Sequence, residues 1–391
     1  MGLTYKYIPI KPSILKNMEN ILGSNKINNY IENIEDCLYI EDSFGRQIIS
    51  GNYPNYKKEE FISGIPLAIR GKINNEGIFI FDDYLFYQNI NSKNDFIFNT
   101  PPIKLKNKSD ENYILFISNL KIGFPEEEIG FNESIRTLLV DFIQNRNNNI
   151  KELKNYSNKI KRIILLGSSS NTTEKTIEKQ IIQDNSSVSS QEINNIILDN
   201  YIALNKFLKL ISNYIYTDLM PSSDSNDDLL YPQKPLNKLL FSENNKNINN
   251  FVLNLVTNPY FFKLKLNSEN KEKYFVGTSG ENINIIKQYS CFENNIDIMK
   301  KNLEWKHLCP INPNYLNLYS PDDKSDPLII QELPDVYFTS SDENEFKFEK
   351  IHINNKEIIL MSLPDFSKSS KCVLFNYEDD TYKIIEFNFR I

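Results

Sequence analysis

The first hundred residues consist of short segments in which apolar and polar residues alternate, separated by turn-forming pieces such as 51–52 and 74–77. Four of these segments predict β-strands, namely 37–41, 47–50, 62–73 and 77–87. Ahead of them, Ser13 is a suitable capping residue for a short helix predicted over 14–22. Short strands with tight turns at this density favour a five-stranded barrel of the OB type, with a β-sandwich as the alternative.

The pattern changes after a polar, proline-containing stretch at 101–111, which is typical of a linker. Beyond it, five apolar segments predict buried strands, namely 113–117, 160–166, 214–220, 336–339 and 357–363. The clearest helix begins at Ser189, where Glu192 completes a capping box. The chain is therefore predicted to have a mixed α+β fold, with a β-barrel domain over 1–100 and an α/β domain over 112–391.

Composition narrows the class of protein. Hydrophobic residues make up 40% of the chain and charged residues 24%, as in ordinary soluble proteins. The net charge is −7 without a dense block of Lys and Arg, so any contact with DNA is expected to be weak or indirect. The four cysteines form no CxxC pair, which disfavours a zinc knuckle and a disulfide framework. The lack of a long apolar run or leader predicts an intracellular protein without a membrane contact.

Candidate chemistry is concentrated in loops that follow predicted strands, because ligands of α/β sheets bind beyond the carboxyl ends of the strands. Residues 117–123, with the sequence ISNLKIG, resemble a phosphoesterase loop of the form SDxHxG, whose Asp and His bind a divalent metal. Asn119 and Lys121 stand at those two positions. A lysine is positively charged near neutral pH and has no lone pair for a cation. This loop is therefore predicted to have lost its metal ligands.

Two further loops show the same replacement. In LLGSSSN, a GDxxD-type loop would have carboxylates where this chain has Ser168 and Asn171. A PGNHD-type loop would have Asn and His where this chain has Ser222, Ser223 and Asp224. We therefore interpret these positions as degenerate metal-loop positions, and we predict no catalytic, cofactor-binding or metal-binding residues among them.

The histidine content agrees with this interpretation. The strand predicted over 336–339 is followed by SSDE, where a GHxH loop would be expected. The chain contains only His307 and His352, whereas a two-metal hydrolase of this type needs several imidazoles. His307 is predicted to be a structural residue and His352 a surface residue.

An oxygen-ligand site for magnesium or calcium is the alternative, because acidic residues occur in two of these loops. Its candidate ligands are Asp224, Asp227, Asp228, Asp342 and Glu343. Acidic side chains in loops are usually only solvated, and a metal site requires a demonstrated set of ligands.

Two other motifs have structural interpretations. The segment 277–282, GTSGEN, lacks the GKS or GKT ending of a phosphate-binding loop, so we predict a turn in which Ser279 caps a helix through 283–289. The basic segment 159–162 leads into a predicted buried strand and is expected to be a solvated stem.

The carboxyl-terminal half contains a series of uncommon phrases: LLYPQKPLNKLLF at 229–241, LVTNPY at 255–260, FVGTSGENI at 275–283, HLCPINPN at 307–314, DPLIIQELPDVYF at 326–338 and LMSLPDFS at 360–367. Together with KPSIL, LYIED and YILFISNLKIG in the first half, they resemble the second, non-catalytic subunits of eukaryotic DNA polymerase delta, within the small-subunit family of the family B polymerases. The resemblance extends over nearly the whole chain.

This resemblance implies an OB barrel joined to an inactivated calcineurin-like phosphoesterase domain, without a cofactor. It also implies a nuclear hetero-oligomer, in which the protein forms a bridge between the carboxyl-terminal cysteine-rich domain of the catalytic subunit of polymerase delta and a third, clamp-binding subunit. The alternatives are a small subunit of polymerase alpha or epsilon and an active metal-dependent phosphodiesterase.

The amino terminus departs from the family pattern. Members of the family usually have an amino-terminal extension and a first barrel strand before the KPSIL-like segment, whereas here only residues 1–10 precede it. Either Thr4–Ile10 forms the first strand, or the sequence begins within the domain.

Overall fold

The computed structural model describes residues 1–9, 36–52, 56–87, 112–123, 129–146, 156–170, 190–222, 231–245, 253–266, 271–312 and 326–388. The strands are β1 (Gly2–Tyr7), β2 (Cys37–Asp42), β3 (Gly45–Gly51), β4 (Pro66–Ile73), β5 (Phe79–Phe86), β6 (Tyr113–Ser118), β7 (Ile160–Leu166), β8 (Tyr216–Leu219), β9 (Leu253–Leu255), β10 (Tyr260–Lys265), β11 (Glu272–Thr278), β12 (Val336–Ser340), β13 (Lys347–Ile353), β14 (Lys356–Leu363), β15 (Lys371–Asn376) and β16 (Thr381–Glu386). The helices are α1 (Ile129–Ile143), α2 (Ser190–Ser212), α3 (Glu281–Tyr289), α4 (Asn295–Trp305) and α5 (Phe366–Ser369), with 3₁₀ segments at Lys58–Glu60 and Lys238–Asn245. None of the helices in these ranges is long and apolar enough to cross a membrane.

The chain forms two compact units. Unit 1 combines Met1–Asp95 with Asn282–Leu333, and unit 2 combines Phe96–Glu281 with Pro334–Ile391. The division into 1–100, 101–111 and 112–391 stays a prediction. The sequence patterns did not indicate that a segment from the second half of the chain would pack with the first ninety-five residues.

Unit 1 contains a closed barrel in the strand order β1-β2-β3-β5-β4, so the barrel prediction is confirmed over the sandwich. The first strand, β1, overlaps the segment Thr4–Ile10 that was expected to supply it, but it begins two residues earlier and ends at Tyr7. The strand predicted over 62–73 begins only at Pro66, because Gly64 has a positive φ of 90° and turns the chain. The helix predicted over 14–22 lies outside the described residues.

The barrel core follows from alternation along the strands, since successive side chains point to opposite faces. Five buried side chains fill it: Leu38, Ile49, Phe61, Leu67 and Phe81. The interior also accepts polar groups where a partner is available. The hydroxyl of Thr4 donates to the carbonyl of Ile62 at 2.6 Å.

The second part of unit 1 packs directly on the barrel. The Nζ of Lys6 donates to the carbonyl of Tyr289 at 3.3 Å, and the N–H of Cys291 donates to the carbonyl of Glu59 at 3.2 Å. Gly64 lies so close to the carbonyl of Pro310 that an added Cβ would overlap it. These contacts explain why residues 282–333 belong to the barrel unit.

Unit 2 is built around two sheets. One has six strands in the order β16-β15-β6-β7-β8-β9, and the other has five in the order β10-β11-β12-β14-β13. Strands β6, β7, β8 and β9 are parallel to one another in the six-stranded sheet. Strands β11, β12 and β14 are parallel to one another in the five-stranded sheet. The carboxyl ends of the parallel strands therefore lie together at one edge of each sheet, where their loops can form a site.

The parallel strands are buried on both faces, which accounts for their continuous apolar sequences. In β6, Leu115 and Ile117 belong to a core that includes side chains of α1 and α2, whereas Ile114 and Phe116 belong to a second core that includes side chains of the five-stranded sheet. The predicted strand at 214–220 is shorter, because the chain turns after α2 before β8 begins.

A charged pair lies inside unit 2. Arg162 and Asp218 are both fully buried and hydrogen-bonded to each other, and the Nη2 of Arg162 also donates to the hydroxyl of Tyr260 at 2.7 Å. Burial opposes the charge on Arg162, but Asp218 and Tyr260 more than offset it and raise the pKa of the guanidinium. The prediction that the basic segment 159–162 is a solvated stem is therefore wrong for Arg162, because its neighbouring strand supplies a buried carboxylate.

Candidate site at the strand ends

The amide of Asn119 connects three loops of unit 2. Its Oδ1 accepts a hydrogen bond from the N–H of Ser168 at 2.9 Å, and its Nδ2 donates to the carbonyl of Ser341 at 2.9 Å. These partners follow β7 and β12, whereas Asn119 follows β6. An amide has both an acceptor and donors, so one side chain can satisfy an N–H and a C=O at once. A carboxylate at this position could accept from Ser168 but could not donate to Ser341.

Gly167 makes this arrangement sterically possible. Its φ is +70°, a conformation that residues with a Cβ rarely adopt. A Cβ at this position would overlap the Oδ1 of Asn119 and would lie 2.5 Å from the Oγ of Ser340. The Oγ of Ser340 in turn accepts a hydrogen bond from the hydroxyl of Ser118 at 2.8 Å. The ends of β6, β7 and β12 are therefore held together by short polar side chains and one glycine.

Lys121 forms an ion pair with a carboxylate that the sequence patterns did not single out. Its Nζ lies 2.7 Å from the Oδ2 of Asp365, whose side chain is 0% exposed. The Oδ1 of Asp365 accepts a hydrogen bond from the hydroxyl of Ser367 at 2.7 Å. Asp365 follows β14 and precedes α5, so the pair connects the loop after β6 with the loop after β14.

A second group of hydrogen bonds connects the loops around β8, β10 and β11. The hydroxyl of Ser279 donates to the carbonyl of Pro221 at 2.7 Å, and its N–H donates to the Oδ1 of Asn258 at 3.1 Å. The Nδ2 of Asn258 donates to Gln233 at 2.7 Å and to Glu281 at 3.0 Å. Helix α3 begins at Glu281, and the Ser279 hydroxyl is directed to Pro221. The capping role of Ser279 stays a prediction.

A small pocket lies at the ends of β7 and β8. Its lining consists of Gly167, Ser169, Ser170, Tyr201, Leu204, Met220, Pro221, Ser222 and Leu236. Its volume is about 20 Å³, which is close to the space that a single water molecule needs and too small for an ordinary small-molecule ligand. Hydroxyl and apolar groups make up this described lining, which contains neither a carboxylate nor an imidazole. Such a surface offers hydrogen bonds but no strong ligand for a divalent cation.

The structure brings four of the predicted positions to the same region of unit 2. Asn119, Lys121 and Ser168 lie at the ends of β6 and β7, and Ser222 lies at the pocket beyond β8. The other three positions, Asn171, Ser223 and Asp224, lie outside the described residues. That these loops descend from metal-binding loops stays a prediction.

Three candidate ligands of the alternative magnesium or calcium site lie outside the described residues, namely Asp224, Asp227 and Asp228. Glu343 forms an ion pair with Lys347 at 2.6 Å. Within the ranges that the structure describes, no three His, Cys, Asp or Glu side chains are grouped so that they could hold a metal ion.

The histidines have the environments that were predicted. The Nδ1 of His307 accepts from the N–H of Cys309 at 3.0 Å, so its Nε2 carries the proton and faces Asp326 at 3.0 Å. Partial burial disfavours the charge of Asp326, but the hydrogen bonds from His307 and from the N–H of Leu328 outweigh it and lower the pKa of Asp326. His352 has a side chain that is 70% exposed. Both histidines are structural or surface residues, as expected.

Comparison with known families identifies two matching regions. The sequence model of the family described as the B subunits of DNA polymerases alpha and epsilon matches residues 114–348, which is more than half of the chain. The model described as DNA polymerase delta subunit OB-fold domain matches residues 1–84. The second match confirms the OB type of the barrel.

Curated relatives are similar over nearly the whole chain. A DNA polymerase delta small subunit of Oryza sativa subsp. japonica is 26% identical over 393 residues, covering 99% of this chain and 83% of the relative. A DNA polymerase delta small subunit of Saccharomyces cerevisiae is 25% identical, covering 97% and 76%. A DNA polymerase delta subunit 2 of Drosophila melanogaster is 23% identical, covering 99% and 82%. The resemblance carried by the sequence phrases is confirmed.

Proposed function

Because this chain belongs to the B-subunit family of DNA polymerases alpha and epsilon, we propose that it is a non-catalytic accessory subunit of DNA polymerase delta. Its relatives at 23–26% identity are named as small or second subunits of that polymerase. The OB-fold match at residues 1–84 carries the delta name as well. A small subunit works in a hetero-oligomer, so the relevant partner is a polymerase catalytic subunit.

The absence of catalysis is supported by one observation above all. The amide of Asn119 connects the loops after β6, β7 and β12, where a metal-dependent phosphoesterase would need carboxylate and imidazole ligands. Lys121 places an ammonium group in the same loop and directs it to Asp365 at 2.7 Å. A divalent cation at this point would be repelled by the ammonium and would find only neutral ligands on the Asn119 side.

The descent of unit 2 from a calcineurin-like phosphoesterase belongs to this proposal. It is supported by two packed sheets with parallel central strands and by the order of the polar loops after β6, β7, β8 and β12. A shared ancestry of the fold does not imply a shared catalytic activity, because function depends on the side chains of the site.

The proposed partners are the carboxyl-terminal cysteine-rich domain of the catalytic subunit of polymerase delta and a third, clamp-binding subunit, and this chain forms a bridge between the two. The proposed location is the nucleus. The net charge of −7 supports protein partners over an extended DNA surface, because a DNA-binding surface gains affinity from many positive charges. Any DNA contact would therefore be weak or made through the partners.

Co-expression tests the partner. This chain would be produced with the carboxyl-terminal domain of the catalytic subunit of polymerase delta, alpha or epsilon in turn, with an affinity tag on the catalytic domain only. We expect stoichiometric capture with the delta domain and little with the others. Preferential capture by the alpha or epsilon domain would assign the chain to another polymerase, which the broader family description makes the second candidate.

A hydrolysis assay tests the lack of catalysis. Purified protein would be incubated with bis-p-nitrophenyl phosphate and manganese, with Lys121→Ala and Asn119→Ala variants in parallel. We expect no turnover above that of manganese in buffer for any of the three proteins. Turnover by the unaltered chain that is changed in both variants would contradict the proposal, because it would place a working site at these loops.

A further inference from the structure

We propose that the ammonium group of Lys121 acts as a built-in cation, which holds together the loops after β6 and β14 in place of a bound metal ion. The inference rests on the proposed function, because it takes the loop after β6 as a former metal loop. It goes further in assigning a specific structural role to the side chain that replaced a ligand.

The burial of Asp365 makes a counter-charge necessary. Its side chain is 0% exposed, and an ionised carboxylate is strongly disfavoured without water unless it is paired and hydrogen-bonded. Ser367 donates to one oxygen of the carboxylate, and Lys121 occupies the other at 2.7 Å. Lys368 is also near, but its Nζ is 3.7 Å away and its side chain is half exposed. Lys121 is therefore the principal cation for this carboxylate.

Both members of the pair are fixed by the backbone. The N–H of Lys121 donates to the carbonyl of Ser168 at 2.9 Å, and φ of Lys121 is +49°, a conformation that few non-glycine residues adopt. On the other side, Asp365 forms a parallel bridge with Ser118, and the N–H of Ser367 donates to the carbonyl of Asn119 at 3.3 Å. The two charges are thus brought together by the strand ends themselves, unlike the partners of a flexible surface pair.

A surface pair elsewhere in unit 2 provides a matched comparison. Lys350 and Glu357 lie 3.3 Å apart on neighbouring strands, but both side chains are more than a third exposed. Exposed pairs contribute little because water and salt screen them, whereas removal of one member of a buried pair leaves an uncompensated charge. If Lys121 is a structural cation, its loss should have a much larger effect than loss of Lys350.

Thermal unfolding of the whole chain tests the proposal. We expect Lys121→Met to lower the Tm by about 10 °C and Lys350→Met to change it by about 2 °C or less. Lys121→Arg retains the charge and should stay close to the unaltered protein. Lys121→Met with Asp365→Asn should be more stable than Lys121→Met alone, because the unpaired carboxylate is then also removed.

Rescue by an external cation provides a second readout. Lys121→Ala leaves a space beside Asp365, and ethylammonium chloride should raise the Tm of this variant by several degrees more than sodium chloride at equal concentration. The unaltered protein and the Lys121→Ala, Asp365→Asn double variant should show no such difference. EDTA should leave the Tm of the unaltered protein unchanged.

Three results would overturn the inference. They are an unchanged Tm in Lys121→Met, a double variant no more stable than the single one, and a fall in the Tm of the unaltered protein with EDTA. If Lys121→Ala does not fold, the comparison of Lys121→Arg with Lys121→Met decides the matter, because the inference requires that only the charged replacement be tolerated. All readouts are unfolding temperatures, so this inference can fail while the partner and hydrolysis tests still support the proposed function.

Discussion

Lys6 in the barrel and Lys121 at the strand ends of unit 2 are both largely removed from water, but different groups face their amines. The Nζ of Lys121 meets a fully buried carboxylate at 2.7 Å. The Nζ of Lys6, whose residue is 2% exposed, donates to the backbone carbonyl of Tyr289 at 3.3 Å. Burial lowers the pKa of Lys6, although the negative charges of Asp36 and Glu59 and the nearby Cys291 oppose this shift.

The comparison shows that burial alone does not decide what a lysine does. At the strand ends, Lys121 pairs directly with a carboxylate and is surrounded by neutral hydrogen-bonded groups, so its charge stabilises the structure. At the barrel, the buried amine has only a carbonyl as its nearest described partner, and Asp36 has its own pKa raised by burial. The stability of the region around Lys6 should therefore depend on pH, whereas the stability of the neutral hydrogen-bond network around Asn119 should not.

The largest effect is expected from two glycines, one in each region. Gly167→Ala would overlap Asn119, and Gly64→Ala would overlap the carbonyl of Pro310, while both positions also require positive φ. Each should cost about 3 kcal/mol or more in the free energy of unfolding. Trp305, the single tryptophan, lies in unit 1, so its fluorescence in urea reports Gly64→Ala, and far-UV circular dichroism reports Gly167→Ala.

Gly77→Ala is the matched control for these two substitutions. Gly77 has a φ of +81°, but no other atom lies within 4 Å of an added Cβ. It should therefore show only the conformational cost of about 1–2 kcal/mol. If all three variants lost the same stability, close packing would not be the reason for glycine at 64 and 167.

A smaller effect is expected from Asn119→Ala. The substitution removes both side-chain hydrogen bonds and leaves the N–H of Ser168 and the carbonyl of Ser341 without that partner. Buried polar groups that lose a partner cost about 1–3 kcal/mol, so we expect a loss of about 2–4 kcal/mol in urea unfolding.

The control is Asn74→Ala in the exposed turn between β4 and β5. The Oδ1 of Asn74 accepts from Glu76 and Ile78 at 3.0 and 2.9 Å, but water can replace it there. A loss of about 1 kcal/mol is expected. Equal losses at Asn74 and Asn119 would show that the strand-end amide has no special role in connecting the loops.

The pH dependence separates the two regions. Because the pKa of Lys6 is lowered in the folded protein, the unfolded chain binds this proton more tightly between the folded pKa and the ordinary value of 10.5. The free energy of unfolding should therefore rise with pH across that window. Lys6→Met should remove this rise when unit 1 unfolding is followed by Trp305 fluorescence at pH values up to the ordinary pKa of 10.5.

Asp36 should act in the opposite direction. Its pKa is raised by burial, so the folded protein binds that proton more tightly between the ordinary value of 3.8 and the raised one. Stability should fall as pH rises through this acidic window.

For the alkaline window, a Lys6→Met variant that kept the full rise in stability would show that a group other than Lys6 causes that rise.

The smallest effect is expected at an ion pair near the barrel surface. Lys301 lies 3.7 Å from Glu60 and 2.9 Å from Glu304, and both carboxylates are about a third exposed or more. Glu60→Gln should cost less than about 1 kcal/mol, because the closer pair with Glu304 remains. A loss above about 2 kcal/mol, measured by the same fluorescence, would mean that charged contacts dominate the attachment of residues 282–333 to the barrel.

The sequence predicted those features that depend on local pattern. Alternation of apolar and polar residues predicted β2, β3 and β5. Continuous apolar runs predicted β6, β7, β12 and β14, because a strand that is buried on both faces has apolar residues at successive positions. The site residues Asn119, Lys121, Ser168 and Ser222 could be placed at strand ends for the same reason.

Features that depend on distant partners could not be predicted. Asp365 is one acidic residue among many in the sequence, and only the fold brings it to Lys121, which lies 244 positions away. Arg162 was predicted to be solvated because its neighbours at 159 and 161 are lysines. Only the register of β7 and β8 shows that it pairs with the buried Asp218. The grouping of 282–333 with the barrel has no local signal at all, since it depends on contacts across most of the chain.

The composite make-up of unit 1 has a consequence for how the protein is made. During synthesis, the barrel strands leave the ribosome before residues 96–281, and only then does the segment that covers Lys6 and Gly64 follow. At about 5–20 residues per second, this interval lasts roughly 10 to 40 s. For that interval, the first ninety-five residues lack the segment 282–333 that packs on them in the complete chain.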